Sequence, residues 1–222
     1  MPDTQADFAA ARTLMVDGQV RPNKVTDPRI IAAMRSLPRE RFVPADRAAL
    51  AYSDEDVPLG RGRYLLEPMV IGRMAQIAAV TEGERVLVVG AGAGYGAALL
   101  AACGATVTAL EEDAALLALA RAVLPSVAPG VAIAEGKLAD GWKAGAPYDL
   151  ILVEGAVATI PAALPGLLRG DGGRIVAILK PGKRVGQAVL CRVTGGQLHP
   201  QPVFDCAVPL LPMLQPAAGF VF

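Results

Sequence analysis

The sequence predicts an α/β protein: a doubly wound, mostly parallel, Rossmann-like sheet preceded by an N-terminal helical extension. Three observations carry this reading. From Glu84 onward, short β-branched runs alternate with helical segments, the arrangement of a parallel sheet covered on both faces. A glycine-rich turn, "GAGAGYG" at 90–96, follows the first of those strands and opens a helix. Residues 1 to about 80 instead carry amphipathic helical patterning, broken by proline- and glycine-marked loops.

In chain order, "DFAAARTLMVDG", "DPRIIAAMRSL" and "EPMVIGRMAQIAAV" are the N-terminal helices. Asp27 before Pro28 is a cap followed by a first-turn proline. Glu67 before Pro68 is the same kind of start, where an acidic residue favours the helix N-terminus. A loop at 54–68, within "YSDEDVPLGRGRYLLEP", completes the extension, 1–80. The strands are "RVLVVG", "ATVTALE", "GVAIAEG", "YDLILVEG", "GGRIVAIL" and "GQAVLCRV", with helices expected at 94–102, 113–123 and 160–168. Beyond about residue 172 little helix intervenes, which predicts an antiparallel edge. The second unit, 81–222, ends in an apolar, proline-spaced arm at 209–222 that either packs on its own chain or meets a second copy.

Composition narrows the function classes. The 222 residues are 53% hydrophobic and 19% charged, enough apolar material for a sizeable core. Lys plus Arg equals Asp plus Glu, 21 each, so no global field draws the chain to nucleic acid or anionic lipid. Cys103, Cys191 and Cys206 are widely spaced and His199 is the sole histidine, which argues against a zinc site or a disulfide framework and for a cytoplasmic protein. Early acidic residues and no apolar segment of signal length argue against a secretion signal. Val86 to Leu110 lacks charge, but five glycines interrupt it, so it reads as strand, loop, helix and strand rather than a membrane span.

The glycine turn is first of all tight strand-to-helix geometry. Its context adds a ligand: Glu111 ends the second strand 21 residues after Gly90, placed to bind the vicinal hydroxyls of a ribose. No GK[ST] follows, which excludes a P-loop. A dinucleotide fingerprint requires the shifted register Gly92, Gly94, Ala97. With the strand ending at Val89, Gly90 is the first loop residue and Tyr95 stands where that fingerprint wants a small side chain. The register from Gly90 is GxGxG, the spacing methyltransferases use beneath the methionine part of S-adenosylmethionine.

The rest of the chain carries a resemblance. "MVDGQVRPNKVTDPRIIAAMRSLPRERFVPADRAALAYSDEDVPLGRG", "EPMVIGRM", "VLVVGAGAGYGAALLA", "VTALEED" and "YDLILVEGAVATIPAALPGLLRGDGGRIVAIL" together resemble the protein-L-isoaspartate O-methyltransferase family, in order, from about residue 12 to about 181. The resemblance implies a class I methyltransferase that uses S-adenosylmethionine to methylate isoaspartyl carboxyl groups in damaged proteins. It assigns the cofactor to Gly90, Ala91, Gly92, Gly94, Tyr95, Glu111, Glu112, Lys137 and Leu138. It assigns the acceptor to the loop at 54–68, with Gly62, Arg63, Tyr64, Leu66, Glu67 and Pro68.

The chain also departs from the family's pattern. Where the family reads roughly Q-T-I-S-[QA]-P this chain reads "RYLLEP", so Leu66 stands at the serine position, Tyr64 at the threonine, and the catalytic residue is left unassigned. Val88 replaces an acidic residue two before the first glycine, and Lys137 falls at an aspartate near the adenine, with Asp140 close by. A carboxylate is already an adequate nucleophile, so losing one serine hydrogen bond costs about 1–3 kcal/mol and need not abolish transfer. Leucine's bulk and the charge of Glu67 make a changed acceptor a live second reading. A non-catalytic nucleoside- or partner-binding relative is a third, and a dinucleotide oxidoreductase a distant fourth. Glu67 is expected to cap its helix, Arg61 and Arg63 to be solvated, Trp142 to line core or pocket, and His199 to have no role. The expected partners are a protein or peptide substrate with a carboxylate acceptor, with no nucleic acid or membrane, as a monomer or a dimer through the arm.

Overall fold

A computed structural model describes residues 4–182 and 184–215. The N-terminal segment folds into α1 (Thr4–Met15), a five-residue π-turn (Val16–Val20) and α2 (Pro28–Ser36). Asp27 caps α2 as its sequence predicts: its carboxylate accepts the Arg29 N–H, and Pro28 takes the first turn, where a missing N–H costs nothing. A hairpin follows, β1 (Val57–Gly60) against β2 (Arg63–Leu65), and then α3 (Pro68–Ala78). Glu67 holds the N-cap position of α3, but its side chain makes no capping bond, which corrects the expectation.

The main sheet comprises β3 (Arg85–Val89), β4 (Thr106–Glu111), β5 (Ala132–Glu135), β6 (Leu150–Val157), β7 (Arg174–Leu179), β8 (Gly186–Thr194) and β9 (Gln197–Cys206). Its order is β5-β4-β3-β6-β7-β8-β9, parallel through β7 and antiparallel at β8 and β9. The antiparallel edge is the one the sequence predicts. The segment "QLHPQP" at 197–202, despite its two prolines, lies within β9. Pro200 and Pro202 are tolerated there because β9 is the outermost strand and pairs on one side only.

Alternation along the strands divides the core. Val86, Val88, Leu150, Leu152, Val176 and Ile178 face a layer made by α2, α3, α4 (Tyr95–Ala102) and α5 (Ala114–Val127). Leu87, Val89, Ile151, Val153, Ile175 and Ala177 face the other side. That side is covered by short 3-10 turns at Leu138–Asp140 and Pro165–Leu167 and by Leu211. The helix expected at 160–168 therefore shrinks to one turn. Pro161 and Pro165 each lack an N–H, so an i→i−4 ladder cannot run through the segment. Helices at 94–102 and 113–123 form close to their expected bounds, α5 running on to Val127.

Strand order fixes where a ligand can sit. From β3 the chain builds outward through β4 and β5, then crosses back to place β6 on the other flank of β3. The carboxyl ends of β3 and β6 therefore diverge, and open α/β sheets bind ligands in that crevice.

Candidate active site

Gly90 leaves β3 directly across from the segment that follows Val153 in β6, so the crevice is walled by Gly90 on one side and Glu154 and Gly155 on the other. Gly90, Gly92 and Gly94 all adopt positive φ (+72°, +58°, +97°), which explains glycine at each. Their open faces differ. A Cβ on Gly94 would strike Leu124 of α5 at 2.7 Å, so this glycine serves the packing of α4 on α5. Those of Gly90 and Gly92 would point into the site.

Four of the loop's donors are committed within the fold. The Gly90 and Ala91 amides donate to Leu110 O (3.0 and 3.1 Å), Gly94 to Ala91 O (2.8 Å), and Gly92 to Glu111 Oε2 (2.8 Å). A phosphate cradle needs free amides pointing at the ligand, and these four are not free. The geometry agrees with the sequence in rejecting a P-loop.

Glu111 ends β4 where the sequence predicts, but it is buried and already bonded within the fold, mostly through Oε1. Besides Gly92, it accepts the amides of Glu112 (2.9 Å) and Asp113 (3.0 Å) and an ion pair from Arg63 Nη1 at 2.7 Å. Arg63 Nη2 donates to Gly90 O at 2.8 Å. Both side chains of the pair are 2% exposed. Arg63, expected to be solvated, thus has its guanidinium on the carboxylate that a ribose would use. In this setting loss of one partner leaves an uncompensated charge, costing about 3–5 kcal/mol unless other donors remain.

The loop at 54–68 is held closed along its length. Gly60, Arg61 and Gly62 turn with φ of +103°, +49° and +71°, which swings residue 63 inward. Arg61, itself exposed, pairs with Asp113 at 3.5 Å. Glu67 N donates to Asp56 Oδ1 at 2.8 Å. Arg39, completely buried, donates to Leu66 O and, at 2.6 Å, to Ala51 O. Leu66 is itself core, 1% exposed, and Tyr64 is half-buried. Pro68 is buried at the start of α3. From the other end of the chain, Leu211 lies 3.4 Å from a Cβ built on Gly90 and 2.6 Å from one built on Gly155. Paired backbone bonds, Ala156 N to Pro209 O (3.1 Å) and Leu211 N to Ala156 O (2.8 Å), fix it there. The described part of the arm, 209–215, packs on its own chain; 216–222 lie outside the described residues. Between loop and arm remains a cavity of about 10 Å³, lined by Arg63, Leu66, Glu154, Gly155 and Leu211 among others, room for about one water.

Beneath this lid sits a buried polar cluster. Tyr95, expected to touch the cofactor, is fully buried; its ring meets Phe42 edge-on at 5.4 Å and carries the Arg39 guanidinium at 4.8 Å. That corrects its assignment: its side chain belongs to the core under the site. Glu154, which sequence reasoning missed, is buried against Gly96 and Ile71, and burial pushes its carboxyl up to about 8 despite Arg63 and Arg39 nearby. Burial, with Asp56 and Asp54 adjoining, also raises Glu67. Arg39 Nη1, Arg63 Nε, Tyr95 Oη and Glu154 Oε2 are buried with no hydrogen-bond partner in the fold.

After β5, Glu112 Oε2 accepts the Leu138 amide at 2.7 Å, closing the gap between β4 and β5. Leu138 is buried, whereas Lys137 and Asp140 are exposed. Trp142 is half-buried and packs near Gly136. His199 faces solvent on β9, opposite Arg192.

Fold and site together define a Rossmann-like methyltransferase: a seven-stranded sheet, a glycine turn at its switch point whose Gly92 amide is bonded to the acid that closes β4, and the crevice between β3 and β6. The chain belongs to the protein-L-isoaspartate O-methyltransferase family. The family model described as Protein-L-isoaspartate(D-aspartate) O-methyltransferase (PCMT) matches residues 12–202. A protein-L-isoaspartate O-methyltransferase of Methylorubrum extorquens (strain PA1) is 41% identical over 83% of this chain and 79% of its own. That of Koribacter versatilis (strain Ellin345) is 37% identical over 92% of both chains. A PCMT from Plasmodium falciparum in complex with S-adenosyl-L-homocysteine superposes with a TM-score of 0.74 at 16% identity, covering 91% of this chain and 98% of that one. A further protein-L-isoaspartate O-methyltransferase structure reaches 0.77 at 20% identity, over 91% of this chain and 65% of that one.

In this form of the chain the place of the family's cofactor is crowded: a Cβ built on Gly90 would meet Arg63 at 3.3 Å and Leu211 at 3.4 Å, one on Gly92 would meet Leu59 at 3.2 Å, and Arg63 sits on Glu111 Oε1, while Oε2 accepts only the Gly92 amide.

Proposed function

We propose that this protein is a carboxyl methyltransferase acting on isoaspartyl residues of damaged proteins, with S-adenosylmethionine as methyl donor. The match to the family across residues 12–202 carries the reading. The acceptor would reach the crevice from the side of the hairpin β1–β2, and Glu111, Gly90 and Gly92 would meet the nucleoside in a form with that hairpin displaced. Three buried, unpaired cysteines support a reducing, cytoplasmic setting.

The assay is transfer of labelled methyl groups from S-adenosylmethionine to an isoaspartyl peptide, against the same peptide with ordinary aspartate. The expected result is base-labile label in the isoaspartyl peptide alone. Cofactor binding without label in either peptide points to the second reading, a different acceptor. The observation that favours that alternative is Leu66, whose side chain is packed into the core at the position where the family has its serine.

A further inference from the structure

Every contact described for the guanidinium of Arg63 is to the cofactor site and none is to solvent. Its two terminal nitrogens bond Glu111 Oε1 and Gly90 O, the two groups that begin and end the β3–loop–β4 wall of the crevice. The contacts need a particular backbone: a turn with three successive positive-φ residues aims the side chain inward, and Arg61 ties that turn to Asp113 at the start of α5. Glu111 does not need Arg63 merely to be tolerated, because three backbone amides already solvate its carboxylate. The arginine is therefore additional to what the fold demands of Glu111.

We infer that Arg63 is a built-in competitor for the nucleoside: it occupies the ribose position on Glu111, so that S-adenosylmethionine and the closed hairpin exclude one another. The inference rests on the methyltransferase reading, but concerns when the site opens rather than what it does. Its energetics are those of a minor binding-competent state. If the closed hairpin leaves about 1–10% of molecules open, the apparent Kd for the nucleoside rises about 10- to 100-fold over that of the open form. The contact also has a second consequence. Nucleoside binding at Glu111 removes one tie on the loop bearing Tyr64 and Leu66, those of Arg61 to Asp113 and of Arg39 to Leu66 O remaining.

The test is calorimetric titration of S-adenosyl-L-homocysteine into the full chain and into Arg63→Gln, with Arg61→Gln as a control on the same turn. Thermal denaturation of all three establishes that they are folded. Arg63→Gln keeps a donor near Glu111 and removes the charge and reach. The expected result is at least about tenfold tighter binding to Arg63→Gln than to the wild-type chain, with Arg61→Gln changed less. Equal or weaker binding to folded Arg63→Gln overturns the competitor while leaving the methyltransferase reading intact. Binding to none of the three overturns both. Should Arg63→Gln fail to fold, Arg63→Lys, which keeps the charge but cannot span Glu111 and Gly90 O together, takes its place with the same expectation and the same reversal.

Discussion

At the scale of single residues, Glu154 and Arg63 are the two side chains that set the character of the site, and they are linked. Burial pushes the Glu154 carboxyl up to about 8 although Arg63 lies near it, and the Arg63 guanidinium bonds Glu111 and Gly90 O. Its raised carboxyl makes a sign-definite prediction. A group that binds its proton more tightly when folded contributes stability that is complete below its unfolded value, near 4.5, and is lost as pH rises through about 8. Stability should therefore fall with pH across that window, by up to about 1.4 kcal/mol per pH unit, and Glu154→Gln should flatten the slope. Urea denaturation of both proteins at several pH values checks it; parallel slopes would contradict it. Leu66→Ser belongs to the same scale: removing a packed side chain that is 1% exposed should cost about 2–4 kcal/mol by the same measurement. Sequence reasoning located Glu111 from its spacing, since a strand end about 20 residues past the glycines is a local pattern. It did not locate the Arg63–Glu111 pair, because contact across 48 positions depends on the hairpin's turn. The usable signals were a cation where the family's pattern has a glutamine, and an acid interrupting the apolar run "YDLILVEGAV".

Among the elements, those with local instructions formed where the sequence places them. Asp27 and Pro28 start α2, and Asp27→Ala should cost about 1 kcal/mol, read as a lower denaturation midpoint, because both the cap and the 2.8 Å pair with Arg29 are lost. Proline has opposite outcomes in the segment after β6 and in strand β9. Prolines at 161 and 165 outweighed the alanine and leucine content of 160–168, whereas prolines at 200 and 202 did not prevent an edge strand. What decides in each case is whether the missing N–H had an intramolecular partner to lose. Helix α4 carries a tighter constraint. A Cβ on Gly96 would collide with the Glu154 carboxyl group and come within 3.3 Å of Ile71. Gly96→Ala should thus destabilise by about 1–3 kcal/mol despite alanine's higher helix propensity, and a neutral or stabilising result would place Glu154 elsewhere.

For the molecule as a whole, the fold class was legible because strand and helix periods alternate without interruption from Glu84, and the family because its motifs run through the N-terminal half as well as the glycine loop. Neither source reveals the state of the site. The same sheet and the same glycines would serve an open crevice; here two distant segments, the hairpin β1–β2 and residues 208–212, meet over it. No helix among the described residues is long and apolar enough to cross a membrane. The central claim is that hairpin and nucleoside compete for one place, and amide hydrogen exchange of residues 57–67 tests it without reference to turnover. In most enzymes a bound ligand protects the loops around it. Here saturation with S-adenosyl-L-homocysteine should lower protection of 57–67 while raising it at 90–96, because the loop is expelled from Glu111. Increased protection of 57–67 on binding would show the hairpin closing over the nucleoside rather than giving way to it, and would contradict the account.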